Sequence, residues 1–225
     1  MNKKFYANLE DDGENVVSTF KDKLEFLTRE VGANNKVLEV GCNDGYVGSI
    51  FLQGNNDVYG IDIVKEKLVL AQKRGLKVKE CDIENEQFPY PQDYFDVVIL
   101  GDVIEHVFDT DSLMEKCKRV LKKDGKLIIT TPNVASLGRR IMLLLGMNPF
   151  LEFSSKFPPV EGYPAVGHIR YYTLSTLCFQ LDHHGFKDIS IQGGTIISFP
   201  MLFKFIYLFR NFASFFPHLM CTARK

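Results

Sequence analysis

Val37-Leu38-Glu39-Val40-Gly41-Cys42-Asn43-Asp44-Gly45 is the stretch from which the rest of this chain is read. A short apolar run passes straight into a turn carrying two glycines, the residue that lets a backbone turn tightly and come close to a ligand. The next apolar run, Val58-Tyr59-Gly60-Ile61-Asp62, ends in a carboxylate. A strand, a glycine turn and an acid closing the following strand form an arrangement in which an α/β sheet holds a nucleoside, the acid accepting hydrogen bonds from ribose hydroxyls.

The same rhythm continues outward. Residues 65–74 have helical spacing and stop at Gly75. Residues 76–81 predict a third strand running into Asp82, and residues 95–100 a fourth, with the near-continuous apolar run of a strand covered on both faces. A helix over 111–121 and a turn at Lys123-Asp124-Gly125 lead to a fifth strand, 126–131, stopped by Pro132. Upstream, after a polar stretch over 1–14, Val16, Val17, Phe20, Leu24 and Leu27 recur at helical spacing across 15–30. Downstream, Thr173 caps a helix that ends at Gly185, and residues 188–192 and 219–224 supply two last strands.

Strands alternating with helices predict an α/β fold, a doubly wound sheet of seven strands, mostly parallel with one antiparallel edge strand. The parallel strands would end along one sheet edge, where such folds take their ligands. The glycine turn, Asp62, Asp82 and Asp102 all fall at those ends. The whole chain, 1–225, reads as one domain. Residues 133–170 and 193–218 interrupt the rhythm as insertions too long for ordinary turns, which predicts a cap on the substrate side.

Bulk properties narrow the function. A chain of 225 residues can bury a sizeable core, and a formal charge of −1 lacks the broad basic surface of a nucleic-acid groove. The five cysteines are scattered, odd in number and without a Cys-x-x-Cys pair, so they read as small apolar fillers in a reducing cytoplasm. No metal site is expected from them. Met1-Asn2-Lys3-Lys4-Phe5 lacks the apolar core of a signal peptide, so the expected location is cytoplasmic.

The glycine turn lacks the G-x-G-x-x-G spacing of a dinucleotide site. A Tyr-x-x-x-Lys pair and a Walker pattern are missing too, which disfavours an NAD-dependent oxidoreductase or epimerase and a nucleotide hydrolase. The residues 39–45, Asp62, Cys81-Asp82-Ile83 and Asp102-Val103-Ile104-Glu105-His106 resemble the successive motifs of class I S-adenosylmethionine-dependent methyltransferases, whose sheet is Rossmann-like. Thr131-Pro132-Asn133-Val134-Ala135-Ser136-Leu137-Gly138-Arg139-Arg140 and His168-Ile169-Arg170-Tyr171-Tyr172-Thr173 resemble small-molecule methyltransferases related to the ubiquinone-pathway enzymes.

The resemblance implies S-adenosylmethionine as cofactor and S-adenosylhomocysteine as product. It implies that Gly41 and Gly45 let the loop approach the methionine part and that Asp62, followed by Ile63, accepts both ribose hydroxyls. Asp82 would accept the adenine amino group beside the N–H of Ile83, and Asp102 would face the methionine end near the sulfonium. Asn43 replaces the family's middle glycine, and asparagine tolerates left-handed dihedrals better than most residues. Glu39 is a strand carboxylate that serves either the cofactor or a structural hydrogen bond. The structural alternatives are a helix cap at Asp62 and plain turns at Asp82 and Asp102.

On the acceptor side, His106 and His168 are the candidate bases, since histidine titrates near neutral pH. Arg139, Arg140 and Arg170, with Tyr171, make the cap basic and suit an anionic acceptor. Between Ile189 and Lys225 there is no acidic residue, and a helix over 199–214 would be covered by phenylalanines around a narrow polar strip. Such a segment suits peripheral contact with an anionic membrane through 196–218, a lipid-like substrate, or packing in a homodimer. The expected function is methyl transfer to a small molecule, oxygen ahead of nitrogen or carbon, on a lipid-linked, quinone-like or glycan-related acceptor. A catalytically silent cofactor-binding module is the non-enzymatic rival.

Overall fold

The structure, a computed structural model, describes residues 21–149, 167–194 and 210–225. Along the chain come α1 (Lys21–Val31), β1 (Lys36–Val40), α2 (Tyr46–Phe51), β2 (Asp57–Asp62), α3 (Lys65–Lys73), β3 (Lys77–Glu80) and β4 (Phe95–Gly101). Then follow α4 (Thr110–Val120), β5 (Leu121–Pro132), α5 (Leu137–Leu144), α6 (Leu174–His183), β6 (Lys187–Gly194) and β7 (His218–Arg224). Single 3-10 turns occupy Leu52–Gly54 and Ile104–His106, and a longer one Arg210–Phe215.

The seven strands form one sheet in the order β3-β2-β1-β4-β5-β7-β6. Strands β1 to β5 pair in parallel, and β7 runs antiparallel to both β5 and β6. The expected seven-stranded, mostly parallel sheet is therefore present. The antiparallel strand lies one place in from the edge, because β7 enters between β5 and β6.

Side chains alternate between the two faces of each strand, so each strand feeds two cores. Leu38, Val40, Val98, Leu100, Leu127 and Ile129 join one core, which Leu113, Met114 and Cys117 of α4 and Leu177 and Leu181 of α6 close. Val37, Val97, Ile99 and Ile128 join the other, against Phe26, Leu27 and Val31 of α1 and Phe51 after β1. Full burial of each such side chain is worth about 1.5–3 kcal/mol. The polar ends of the sheet are thereby held on a rigid two-sided support.

Two helices carry side-chain caps, at Asp109 and at the expected Thr173. Asp109 accepts from Ser112 N at 2.9 Å to open α4, and Thr173 with Thr176 forms a reciprocal capping box at α6. Strand β5 begins earlier than its apolar run suggests, because Leu121 already pairs with Phe95. The expected turn at 123–125 is an irregularity within that strand, with Asp124 at φ 59. The cysteines do act as fillers: all five are free, and all but Cys178 are buried.

The polar stretch 1–14, the first part of the helix expected over 15–30, the middle of the cap at 150–166, and residues 195–209 lie outside the described residues. Among those described, no helix is long and apolar enough to cross a membrane. The chain departs from β1 towards β2 and β3, then returns to β4 on the other side of β1. That reversal opens a crevice at the carboxyl ends of β1 and β4, the usual ligand position in such sheets.

Candidate active site

The turn after β1 is built for close approach. Gly41 and Gly45 have φ of 70 and 76, and a Cβ on Gly41 would come within 2.8 Å of Val103, one on Gly45 within 2.7 Å of Ala71. Asn43 takes φ 48, the left-handed conformation expected of a residue standing where the family has glycine. The Asp62 carboxylate accepts from Asn43 N and Val64 N, each at 2.9 Å, so it ties the turn to the start of α3. Burial pushes its pKa up, against the opposing effect of the N–H groups of Val64, Asn43 and Ile63. Asp62 does not cap α3, whose N-cap is Val64 with no side-chain cap bond, and its oxygens retain acceptor capacity at the strand end where a ribose would lie.

Asp82 lies just past β3, where its carboxylate accepts from Glu84 N at 3.0 Å and Asn85 Nδ2 at 3.1 Å. Burial raises its pKa, but these bonds outweigh it and hold the group below its ordinary value. Ile83 is buried, and its carbonyl accepts from Lys116 Nζ at 2.8 Å. Glu39 takes the position its structural alternative describes. It is buried within β1 beneath the turn, against Gly48, and burial plus the charges of Asp44 and Asp62 push its pKa up to about 8. With that pKa it is mostly protonated at pH 7 and supports the loop from beneath.

At the end of β4 stands Asp102, itself at φ 52. Its carboxylate pairs with Lys23 of α1 and accepts from Thr130 Oγ1 at 2.9 Å. Burial raises its pKa, but the charges of Lys23 and His218 and the hydrogen bonds of Lys23 and Thr130 hold it well below the carboxylate range. Three residues on, Glu105 is buried, with Oε2 accepting from Thr131 Oγ1 at 3.0 Å and Oε1 meeting no hydrogen-bond partner. Burial and the neighbouring Asp102 push its pKa well above the ordinary carboxyl value.

The cap returns to this point. The backbone carbonyl of Glu105 accepts from Ile169 N at 2.9 Å and Arg170 N at 3.0 Å. This brings His168 Nε2 to 3.9 Å from Glu105 Oε1, and its ring to 4.8 Å from that of His106. His106 Nδ1 lies 3.2 Å from Gly167 O; a carbonyl only accepts, so Nδ1 is the donor in this contact. Burial lowers the His168 pKa to about 4; Asp102 opposes this and Arg139 adds to it, so the ring is neutral at pH 7.

Glu105, His106 and His168 each bring a ligand atom within 4.8 Å of the others. Two imidazoles and a carboxyl form a donor set of the kind that holds a divalent metal. Residue type alone points to the two histidines and not to Glu105. The available signal was the adjacent Glu105-His106 pair at a strand end; what hid it was the distance in sequence to His168.

The other substrate-side candidates separate. Arg139 donates to Asn133 O at 2.8 Å and acts electrostatically on His168 and His218. Arg140 donates to Ala135 O and lies over the Phe215 ring, whereas Arg170 donates to Phe108 O. Tyr171 lines a shallow groove between α4 and α6, with Asp111, Phe179 and His183. Only Arg139 therefore shares the electrostatics of the histidine cluster, and the sequence could not sort the three because they differ in backbone partner rather than in type.

Along the sheet edge, in strand order, lie Asp82, Asp62, the close-approach turn and Asp102. Two carboxylate acceptors beside a backbone cradle suit the base and ribose of a nucleoside, and a further carboxylate past them suits a ligand that continues with a cationic centre. A family model described as a methyltransferase domain matches residues 9–191. An uncharacterized protein of Methanocaldococcus jannaschii is 34% identical over 110 residues, a match covering 49% of this chain and 50% of that protein. The ubiquinone biosynthesis O-methyltransferase of Actinobacillus pleuropneumoniae is 29% identical over 145 residues, covering 60% and 62%. The chain thus spans about half to three fifths of the length of these curated relatives. A crystal structure of a SAM-dependent methyltransferase from Thermotoga maritima superposes with a TM-score of 0.68 at 15% identity, over 99% of both chains, which shows the shared fold. The chain belongs to the class I S-adenosylmethionine-dependent methyltransferase family, whose cofactor is S-adenosylmethionine.

Proposed function

We propose that this protein transfers a methyl group from S-adenosylmethionine to an oxygen of a small molecule held over the ends of β4 and β5. The observation that supports this reading most is the continuity of the edge. The nucleoside groups at Asp82 and Asp62 lead to Asp102, and directly beyond it stand Glu105, His106 and His168. The cofactor supplies an already activated methyl, so the protein's task is to position the acceptor and deal with its proton. Asp62 and the turn orient the donor; Arg139 favours an acceptor oxygen that carries negative charge.

For the proton, the cluster offers His168, neutral at pH 7 but, with a pKa near 4, a weak base. A divalent cation held by Glu105, His106 and His168 would lower the pKa of an acceptor hydroxyl directly. The unpartnered Oε1 of Glu105 favours this second arrangement. The O-methyltransferase name of the A. pleuropneumoniae relative supports oxygen over nitrogen.

An apolar part of the acceptor suits the exposed Leu137, Ile141, Leu144 and Leu145 beside Phe212 and Phe215. Vesicle flotation and sedimentation separate the alternative uses of that side of the molecule, the anionic membrane expected for 196–218 and a second copy of the chain. The central test is formation of S-adenosylhomocysteine with a panel of phenols, lipid-linked alcohols, carboxylates and amines, with and without chelator. Calorimetry should show binding of S-adenosylmethionine and none of NAD. Turnover confined to amines would overturn the oxygen assignment, and cofactor binding without turnover of any acceptor would favour the silent module.

A further inference from the structure

Lys23 lies in the first turn of α1, yet its ammonium reaches Asp102 across 79 positions of sequence. Both side chains are largely buried, 15% and 28% exposed, so their charges interact through protein more than through water. The strand order fixes what this pair faces. A linear ligand with its base at Asp82 and its ribose at Asp62 must continue across the crevice between β1 and β4. The turn after β1 and the residue following Asp102 are in contact range, since a Cβ on Gly41 would lie 2.8 Å from Val103. Asp102 is therefore the carboxylate that the sulfur of the cofactor meets next. That sulfur is a cation in the methyl donor and neutral in the demethylated product.

We infer that Lys23 sets the discrimination between donor and product: its ammonium offsets Asp102, so the site holds the sulfonium and the neutral thioether with comparable affinity. The inference rests on the cleft being the S-adenosylmethionine site. It gives opposite signs to two substitutions. With Lys23→Met, Asp102 faces the sulfur without that ammonium and the donor gains over the product. With Asp102→Asn, Lys23 is unbalanced and the donor loses. Lys23→Arg keeps the charge and keeps the ratio.

The experiment is calorimetry of the wild-type protein and the three variants with S-adenosylmethionine and S-adenosylhomocysteine, at pH 8, with circular dichroism to confirm folding. The expected result is a product-to-donor Kd ratio that rises about tenfold in Lys23→Met, the factor corresponding to an interaction of one pKa unit. It should fall by a similar factor in Asp102→Asn and stay within about twofold in Lys23→Arg, the scatter expected when the local charge is unchanged. Equal weakening of both ligands in Lys23→Met would show that Lys23 grips a group common to both, and would overturn the inference. A lowered melting temperature with an unchanged ratio would do the same by making Lys23 purely structural. If the wild-type protein binds neither ligand, it is the cofactor reading that fails.

Discussion

Glu39→Gln isolates the cost of keeping a carboxyl beneath the cofactor loop. Folding moves the pKa of Glu39 from the ordinary 4.5 to about 8, burial being the main cause. Between those values the folded chain holds a proton that the unfolded chain has released. Stability must therefore fall as pH rises through this window, by about 1.4 kcal/mol per pH unit from this group alone. Glutamine cannot ionise, so the variant lacks that slope. The stability difference, variant minus wild type, should grow by about 4 kcal/mol from pH 5 to pH 8 and then level off. Urea unfolding followed by circular dichroism at half-unit pH steps measures it. Because Glu39 is already protonated at pH 7, cofactor affinity there should change by no more than about twofold, a difference below 0.5 kcal/mol. A stability difference that is flat from pH 5 to 8 would refute the reasoning, whatever its absolute size.

Asp62→Ala should weaken S-adenosylmethionine by about 100-fold or more, since two hydrogen bonds to a charged group are each worth about 1.5–3 kcal/mol; undiminished calorimetric binding would remove the ribose role. Asn43→Gly should leave the loop intact, because the residue already sits at φ 48, whereas Asn43→Val should cost about 1–2 kcal/mol in thermal unfolding. His168, lowered from 6.5 to about 4 in the folded protein, makes stability present above pH 6.5 and progressively lost as pH falls towards 4. After a discount for its partial exposure, His168→Asn should reduce the loss between pH 7 and 5 by about 1 kcal/mol. If the cation reading is right, chelator-treated protein should bind Mn2+ with a calorimetric signal that Glu105→Gln and His168→Asn each abolish; unchanged Mn2+ binding in both variants would rule the trio out.

Much of the donor side is legible before any coordinates, because it is written in local chemistry. Gly41 and Gly45 mark positive φ, Asp62 closes a strand, and the apolar run of β4 shows a strand covered on both faces. Each of these signals lies within a few residues of its structural consequence. Glu39 was harder, since a strand position tells nothing of whether a side chain opens to the cleft or sinks under the loop; Gly48 decides that, from the facing helix. The acceptor side depends on long-range returns of the chain. His168 meets Glu105 only because the segment after residue 166 hydrogen-bonds to a carbonyl 60-odd residues earlier. Arg139, Arg140 and Arg170 look alike in sequence and diverge only through the carbonyls they find. Lys23 carries no motif at all, and its importance comes from where α1 packs.

The docking of Ile169 and Arg170 onto the carbonyl of Glu105 separates architecture from chemistry at a single residue. The anchor is a main-chain oxygen, so a near-isosteric exchange such as Glu105→Gln removes the carboxylate and leaves in place the acceptor that holds the segment delivering His168. Position 105 is therefore where the proposed cation site can be emptied of its carboxylate while the scaffold that frames it stays in place.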